Sequence, residues 1–173
     1  MGDGHCAIAH KNMMTNYPHL FRYHFATTQK LFDLAGKLNA ADLTANPGYG
    51  QGSVQDTLQH LLIVSNAWHT ALVTGKQALM LDRDAMGTLP AIGVLMLQEA
   101  ANWNTLVTTC AEAELAAKRS LINYRGDTIQ IHLWHALQQV LMHGMQHHSE
   151  LARMLTEHGH SPGNIDVMFY PVV

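Results

Sequence analysis

Residues 132–157 read HLWHALQQVLMHGMQHHSELARMLTE, a pattern that predicts one long amphipathic helix. An α-helix turns about 100° per residue, so positions three and four apart share a face. Four positions lie about 60–100° from His143 and form an apolar stripe: Leu133, Val140, Gly144 and Leu151. Gly159 and Pro162 follow and are expected to stop the helix. The segment therefore predicts one wall of a helical core.

Two histidines lie at the inner edge of this stripe. His147 is about 40° from His143 and one turn further along, a spacing that lets two imidazoles bind one ion. The pair alone is a weak signal in a chain with 13 histidines, because core-edge histidines paired with backbone or water are equally common. Glu150 lies at about −20°, beside both. It could be a fourth ligand, an acceptor for an imidazole N–H, a general base or a solvated charge.

A second helix is predicted to begin at Ser53 and to end at Gly75. Asp56, three residues after Ser53, predicts a capping box, and it could also hydrogen-bond the nearby His60. His60 borders the apolar stripe of this helix, formed by Val64, Trp68 and Leu72. His69 falls on the opposite side and is expected to face water.

Three imidazoles on two facing helices predict a divalent metal site. Three neutral histidines with an open fourth position are typical of catalytic zinc. Nickel, copper and iron accept imidazole as well, so the ligands His60, His143 and His147 do not distinguish zinc from nickel or iron.

The remaining segments complete an all-α four-helix bundle. The periodicity predicts a first helix from near Pro18 to near Leu38 and a third from Pro90 to near Lys118. Residues 76–89 read as a connector, and Ser120–Ile131 as a short hairpin or extended connector before the last helix. We expect residues 1–15 to be loosely ordered, residues 16–173 to form one domain, and the tail from Asn164 to pack on the bundle.

The composition supports a globular protein and excludes some partners. Hydrophobic residues make up 47% of the 173 residues and charged residues 13%, with a net charge of −3. This balance favours neither a nucleic-acid nor an anionic-membrane partner. No apolar run approaches the roughly 20 residues of a membrane span, and the start of the chain lacks the pattern of a secretory signal. Two cysteines are too few for a disulfide framework, so we expect a cytoplasmic protein.

The other histidines and the methionines are better explained by packing, contact or surface roles than by metal binding. His148 lies about 140° from His143 and is interpreted as a packing or interface residue rather than a ligand. Met142 and Met145 share a polar side of the helix and predict a homodimer contact, although scattered surface methionines are nearly as common. The rest are interpreted as surface, capping or non-ligand residues: His5, His10, His19, His132, His135, His158 and His160.

The chain resembles the DinB/YfiT-like superfamily, whose members are regarded as metalloenzymes and are unrelated to the DNA polymerase of similar name. Three stretches carry the resemblance: NPGYGQGSVQDTLQH at 46–60, MHGMQHHSEL at 142–151 and GHSPGNID at 159–166. The resemblance implies a four-helix bundle, commonly a dimer, with metal ligands at His60, His143 and His147.

The chain also departs from the family pattern at three neighbours of the ligand pair. The family often has Asn at the position of Met142, Arg at that of His148 and His at that of Gln139. None of these changes removes a ligand, but such neighbours shape the pocket, so a substrate cannot be carried over from relatives.

Related branches of the superfamily include S-transferases and isomerases that use a low-molecular-weight thiol. The resemblance therefore implies a metal-dependent thiol transferase whose partners are a small thiol and an electrophile. Three alternatives stay open: a metal-dependent hydrolase, a non-enzymatic stress-related metal-binding protein, and a bundle whose histidines only pack.

Overall fold

The computed structural model describes residues 16–171, and the segment 1–15, with His5 and His10, lies outside the described residues. The bundle consists of four long helices: α1 (Asn16–Ala35), α3 (Val54–Thr74), α5 (Leu89–Thr109) and α7 (Leu133–Glu157). Shorter elements connect them: α2 (Ala40–Thr44), α4 (Arg83–Met86), α6 (Glu112–Ala116) and a 3-10 turn, Val167–Phe169. An antiparallel hairpin, β1 (Lys118–Ile122) and β2 (Thr128–His132), precedes α7. The predicted all-α four-helix bundle with a hairpin connector is confirmed.

The long helices surround two apolar clusters, one toward each end of the bundle. Helices α1 and α3 each pack against both α5 and α7. One cluster joins the first turns of α1 and α7 to the last turns of α3 and α5, through Phe21, Val140, Leu72 and Trp103. The other joins the opposite ends, through Leu31, Leu58, Ile92 and Leu155. Helices α1 and α7 therefore run in one direction, and α3 and α5 in the other.

A buried polar layer separates the two clusters. On each long helix its residues fall between the two apolar groups: His24, Thr28, Ser65, Glu99, His147 and His148. Trp103 Nε1 donates to Ser65 Oγ at 2.8 Å, and that hydroxyl lies 3.4 Å from Glu99 Oε1. Buried polar groups need such partners, because an unpaired one costs about 1–3 kcal/mol. The layer places hydrogen-bonding side chains, several of them imidazoles, in the middle of the bundle.

The ends of α3 match the sequence prediction. Asp56 N donates to Ser53 Oγ at 3.1 Å and Ser53 N donates to Asp56 Oδ2 at 2.9 Å, which is the predicted capping box. Gly75 ends the helix in the left-handed region, at φ 70°. These caps define where α3 starts, and thus which face His60 presents.

Two helices end earlier than predicted. The third helix stops at Thr109, not near Lys118, which instead begins β1. Its last turns carry threonines whose hydroxyls bond to the preceding turn, including Thr105 to Ala101 O and Thr109 to Thr105 O. Such threonines weaken a helix, and α6 then starts afresh. The first helix ends at Ala35 rather than Leu38, because Gly36 follows and disfavours further turns.

The connector at 76–89 contains one helical turn, α4, which the sequence did not predict. Asp82 caps it by accepting from Asp84 N at 3.0 Å. The described part of the tail does pack on α1: Tyr23 donates to Ile165 O, and Lys30 Nζ to Asn164 O at 3.3 Å. Within residues 16–171, no helix has both the length and the apolar character to cross a membrane.

Candidate metal centre

Helices α3 and α7 bring the three predicted imidazoles together. Nε2 of His143 lies 3.1 Å from Nε2 of His60 and 3.1 Å from Nε2 of His147. One nitrogen from each ring falls within 4.8 Å of the others. Three nitrogens about 2.05 Å from a tetrahedral ion would be roughly 3.3 Å apart, so the spacing fits a zinc-sized ion.

Glu150 determines which nitrogen of His147 points to this group. Its Oε2 lies 2.7 Å from Nδ1 of His147. A carboxylate only accepts, so Nδ1 carries the proton and Nε2 presents its lone pair to the other imidazoles. Among the roles that the sequence left open for Glu150, this geometry fits a hydrogen-bond acceptor that orients His147.

The loop before α3 packs against the same carboxylate. Gly50 has φ 65°, and a Cβ there would lie 3.1 Å from Glu150 Oε2. A larger residue would therefore be strained in its backbone and would also press on Glu150. The glycine-rich stretch 46–52 thus supports the partner of a candidate ligand as well as the start of α3.

Two of the three imidazoles, His60 and His143, are uncharged at neutral pH. Burial, together with the nearby His147, lowers the pKa of His60 to about 4. Burial likewise lowers the pKa of His143 to about 4, with contributions from His147 and His60. Neutral rings with free lone pairs are the form that binds metal. The donor set, three nitrogens with no anionic oxygen among them, suits zinc, nickel or iron.

A second pair of histidines, which the sequence alone does not reveal as a pair, lies behind His143 in the polar layer. The ring of His148 stacks on that of His24 with centroids 4.9 Å apart, and its Nε2 lies 2.7 Å from Thr28 Oγ1. His24 in turn packs over Gly144, where a Cβ would lie 2.6 Å from its Nδ1. The only sequence feature that points to His24 is its position, as a polar residue on the apolar stripe of the first helix.

Two neighbouring residues differ from what the sequence suggested. His69, expected to face water, is only partly exposed: it is half-buried, edge-on to Trp103 with ring centroids 5.4 Å apart. Asp56 is engaged by Ser53 and lies 3.6 Å from Arg83, and within residues 16–171 it has no hydrogen bond to His60. The Asp56 carboxylate accepts from Ser53 in the capping box instead of from His60.

The other described histidines lie outside the three-imidazole group. His132 Nδ1 lies 2.7 Å from Ala116 O, and His158 Nδ1 lies 3.7 Å from Asp42 Oδ1. His135 is exposed and stacks on Trp134. Their positions agree with surface or local packing roles.

A pocket of about 430 Å³ opens beside His60 and His143, between α3, α7 and the hairpin. We call it the metal-side pocket. Its walls are mainly apolar, with Trp68 and Leu121 among them, and Gln139 and Asn123 supply amides. No carboxylate, ammonium or guanidinium group of the described residues lines it. Such a pocket suits an uncharged, apolar molecule.

Met142 and Met145 are exposed, as the sequence suggested. They border a different pocket, between α1 and α7. The homodimer contact expected at this surface stays a prediction.

Comparisons with known proteins agree with this arrangement. The chain resembles two solved structures from Bacillus subtilis. One is the DinB-like protein YjoA. The other is YfiT, which is described as a probable metal-dependent hydrolase with an unusual four-helix bundle topology. YjoA is 15% identical with a TM-score of 0.58, over 82% of this chain and 93% of YjoA. YfiT is 16% identical with a TM-score of 0.59, over 82% of this chain and 87% of YfiT. These identities establish a shared fold only.

A search of the curated proteins found no significant match. The model of the DinB family matches residues 13–173, which include all three imidazoles and every long helix. The chain belongs to the DinB family.

Proposed function

We propose that the protein binds one divalent metal ion through His60, His143 and His147 and transfers a low-molecular-weight thiol to an uncharged electrophile. The convergence of three Nε2 atoms beside an apolar pocket supports metal binding. A bound ion would lower the pKa of a thiol or water at its open position and so supply a nucleophile at neutral pH.

The lining of the metal-side pocket favours a thiol over water as the nucleophile. Hydrolysis of an amide or alkyl ester needs a proton donor for the leaving group. No carboxyl or ammonium group lines the pocket, and the phenol of Tyr124 is 66% exposed, so it is poorly placed to protonate a leaving group inside the pocket. A thiol transfer needs only loss of the thiol proton to solvent. The sulfur then bonds to carbon as the leaving group departs with its electron pair.

The chain's own residues have distinct parts in this proposal. Glu150 orients His147 and does not line the pocket, so we assign it a positioning role. Trp68 forms part of the apolar wall against which the electrophile would pack. Gln139 and Asn123 are the amides available to a polar group on either substrate.

Metal content tests the first half of the proposal. Protein purified without a nickel column is analysed by mass spectrometry, as wild type and as His143→Ala. We expect about one equivalent of metal in the wild type and its loss in the variant. His135→Ala, an exposed histidine on the same helix, is the matched control and should retain the metal. Wild-type protein that stays metal-free after zinc, nickel or iron is added would overturn the proposal.

Two assays test the second half. Metal-loaded protein is given 1-chloro-2,4-dinitrobenzene with cysteine or other small thiols, and separately 4-nitrophenyl acetate without thiol. We expect thioether formation that requires both thiol and metal and is lost in His143→Ala. Turnover of the ester alone would favour the hydrolase. Stoichiometric metal without turnover in either assay, across a panel of thiols and electrophiles, would favour the non-enzymatic metal-binding protein.

A further inference from the structure

The α3 wall of the metal-side pocket is a long trough that begins at a candidate metal ligand. Five residues of this helix line the pocket: His60, Val64, Ala67, Trp68 and Ala71. They lie within about 100° of one another around the helix axis, and Ala71 is about 16 Å beyond His60 along it. A sphere of 430 Å³ would be only about 9 Å across, so the pocket is elongated along α3. We call these five residues the α3 trough.

The open side of the three-imidazole group faces the α3 trough. His60 and His143 line the pocket, whereas His147, which Glu150 orients, is buried and does not line it. Helices α3 and α7 run in opposite directions, so Gln139, one turn before His143, lies toward the Ala71 end of the pocket. A nucleophile at the open position of the ion would therefore have the length of the trough in front of it.

The trough is apolar beyond His60, and its far end is closed. Ala71 and Leu121, which are 6% and 1% exposed, belong to the apolar cluster of Phe21 and Trp103. Two alanines among the five trough residues leave open a space that larger side chains would fill. A charged group there would lose its hydration without gaining a counter-ion, whereas each buried methylene group is stabilising.

Building on the proposed thiol transfer, on which this inference rests, we propose that the electrophile carries an unbranched alkyl chain that lies along the α3 trough. Its reacting carbon is at the imidazole end and its methyl end is near Ala71. An extended chain with C–C bonds of about 1.5 Å advances about 1.25 Å per carbon, so about eight to ten carbons span the trough. In the reaction, the thiolate sulfur bonds to the terminal carbon and the leaving group departs with the bonding electron pair. The thiol proton goes to solvent.

Binding of unreactive straight-chain alcohols, from 1-butanol to 1-dodecanol, tests the trough without any turnover. The full-length, metal-loaded chain is labelled at its methionine methyl groups and titrated by NMR. Met80 lines the metal-side pocket, whereas Met142 and Met145 border the pocket between α1 and α7. We expect saturable shifts at Met80, with an affinity that rises about fourfold per methylene group and levels off near 1-decanol.

Two variants test the length and width of the trough. Ala71→Leu fills the far end, so 1-decanol should bind about tenfold more weakly while 1-butanol binds as before. Ala67→Leu narrows the middle at a less buried position and should also weaken 1-decanol. Ala101→Leu, the same change at an exposed position of α5, is the matched control. Affinity independent of chain length, shifts at Met142 and Met145 alone, or wild-type binding of 1-decanol by both trough variants would overturn the proposal.

The same chain lengths as 1-iodoalkanes, given with a small thiol, separate this proposal from the thiol transfer itself. We expect kcat/KM for thioether formation to follow the length dependence of alcohol binding. Length-dependent alcohol binding without turnover of any iodoalkane would overturn the thiol transfer and leave the trough as an alkyl-binding site. Turnover of 1-chloro-2,4-dinitrobenzene with equal kcat/KM along the iodoalkane series would overturn the role of the trough and leave the thiol transfer.

Discussion

Nδ1 of His147 lies 2.7 Å from Oε2 of Glu150, less than one turn further along α7. This contact assigns the imidazole proton to Nδ1 and directs Nε2 toward His143 and His60. A carboxylate in this position also makes the imidazole more basic and hence a better metal ligand. Metal affinity should therefore depend on a residue that is not itself a ligand.

Glu150→Ala is expected to weaken metal binding about 10- to 100-fold, the range usual for partners of ligating histidines. Glu150→Gln should lose less, because its amide oxygen still accepts from Nδ1. Zinc competition against a chromophoric chelator measures both. Glu112→Ala, an exposed acid at the start of α6, is the matched control. Equal affinities of Glu150→Ala and Glu112→Ala would rule out the orienting role.

Gly50→Ala and Gly48→Ala separate backbone strain from pressure on the site. Both glycines have positive φ, 65° and 81°, so alanine should cost each about 1–2 kcal/mol of stability. Only a Cβ at Gly50 would meet Glu150; at Gly48 nothing lies within 4 Å. We expect similar losses of urea stability but a weaker zinc affinity for Gly50→Ala alone. Matching zinc affinities would show that the loop does not constrain Glu150.

The three-imidazole group could be predicted from sequence because each ligand is positioned by local periodicity. His143 and His147 share an edge of one stripe, and the caps of α3 determine where His60 lies. Which helices become neighbours is not local information. The contact between His24 and Gly144 depends on α1 running beside α7, so the second pair of histidines could not be located. Likewise Asp56 could cap α3 or pair with His60, and only the folded chain shows that capping prevails.

The close approach of α1 to α7 at Gly144 predicts a destabilising substitution. Gly144→Ala would place a methyl group against the ring of His24, and overpacking of this kind costs about 1–3 kcal/mol. His24→Ala opens the same space, so adding Gly144→Ala to it should cost much less. Urea unfolding of the two single variants and the double variant measures this coupling. Additive losses would show that the clash is relieved without moving His24.

Acid should destabilise the metal-free protein through His24. Burial lowers its folded-state pKa from 6.5 to about 4, and the neighbouring His143 contributes. Between these two values the unfolded chain binds a proton that the folded chain does not, so the free energy of unfolding falls as pH falls. The difference amounts to about 3 kcal/mol for this residue once pH is below 4. In urea unfolding at pH 7.5 to 4.5, His24→Gln should lose stability less steeply than the wild type, by up to about 1.4 kcal/mol per pH unit. Parallel pH profiles of the two proteins would mean that His24 is not held neutral in the fold.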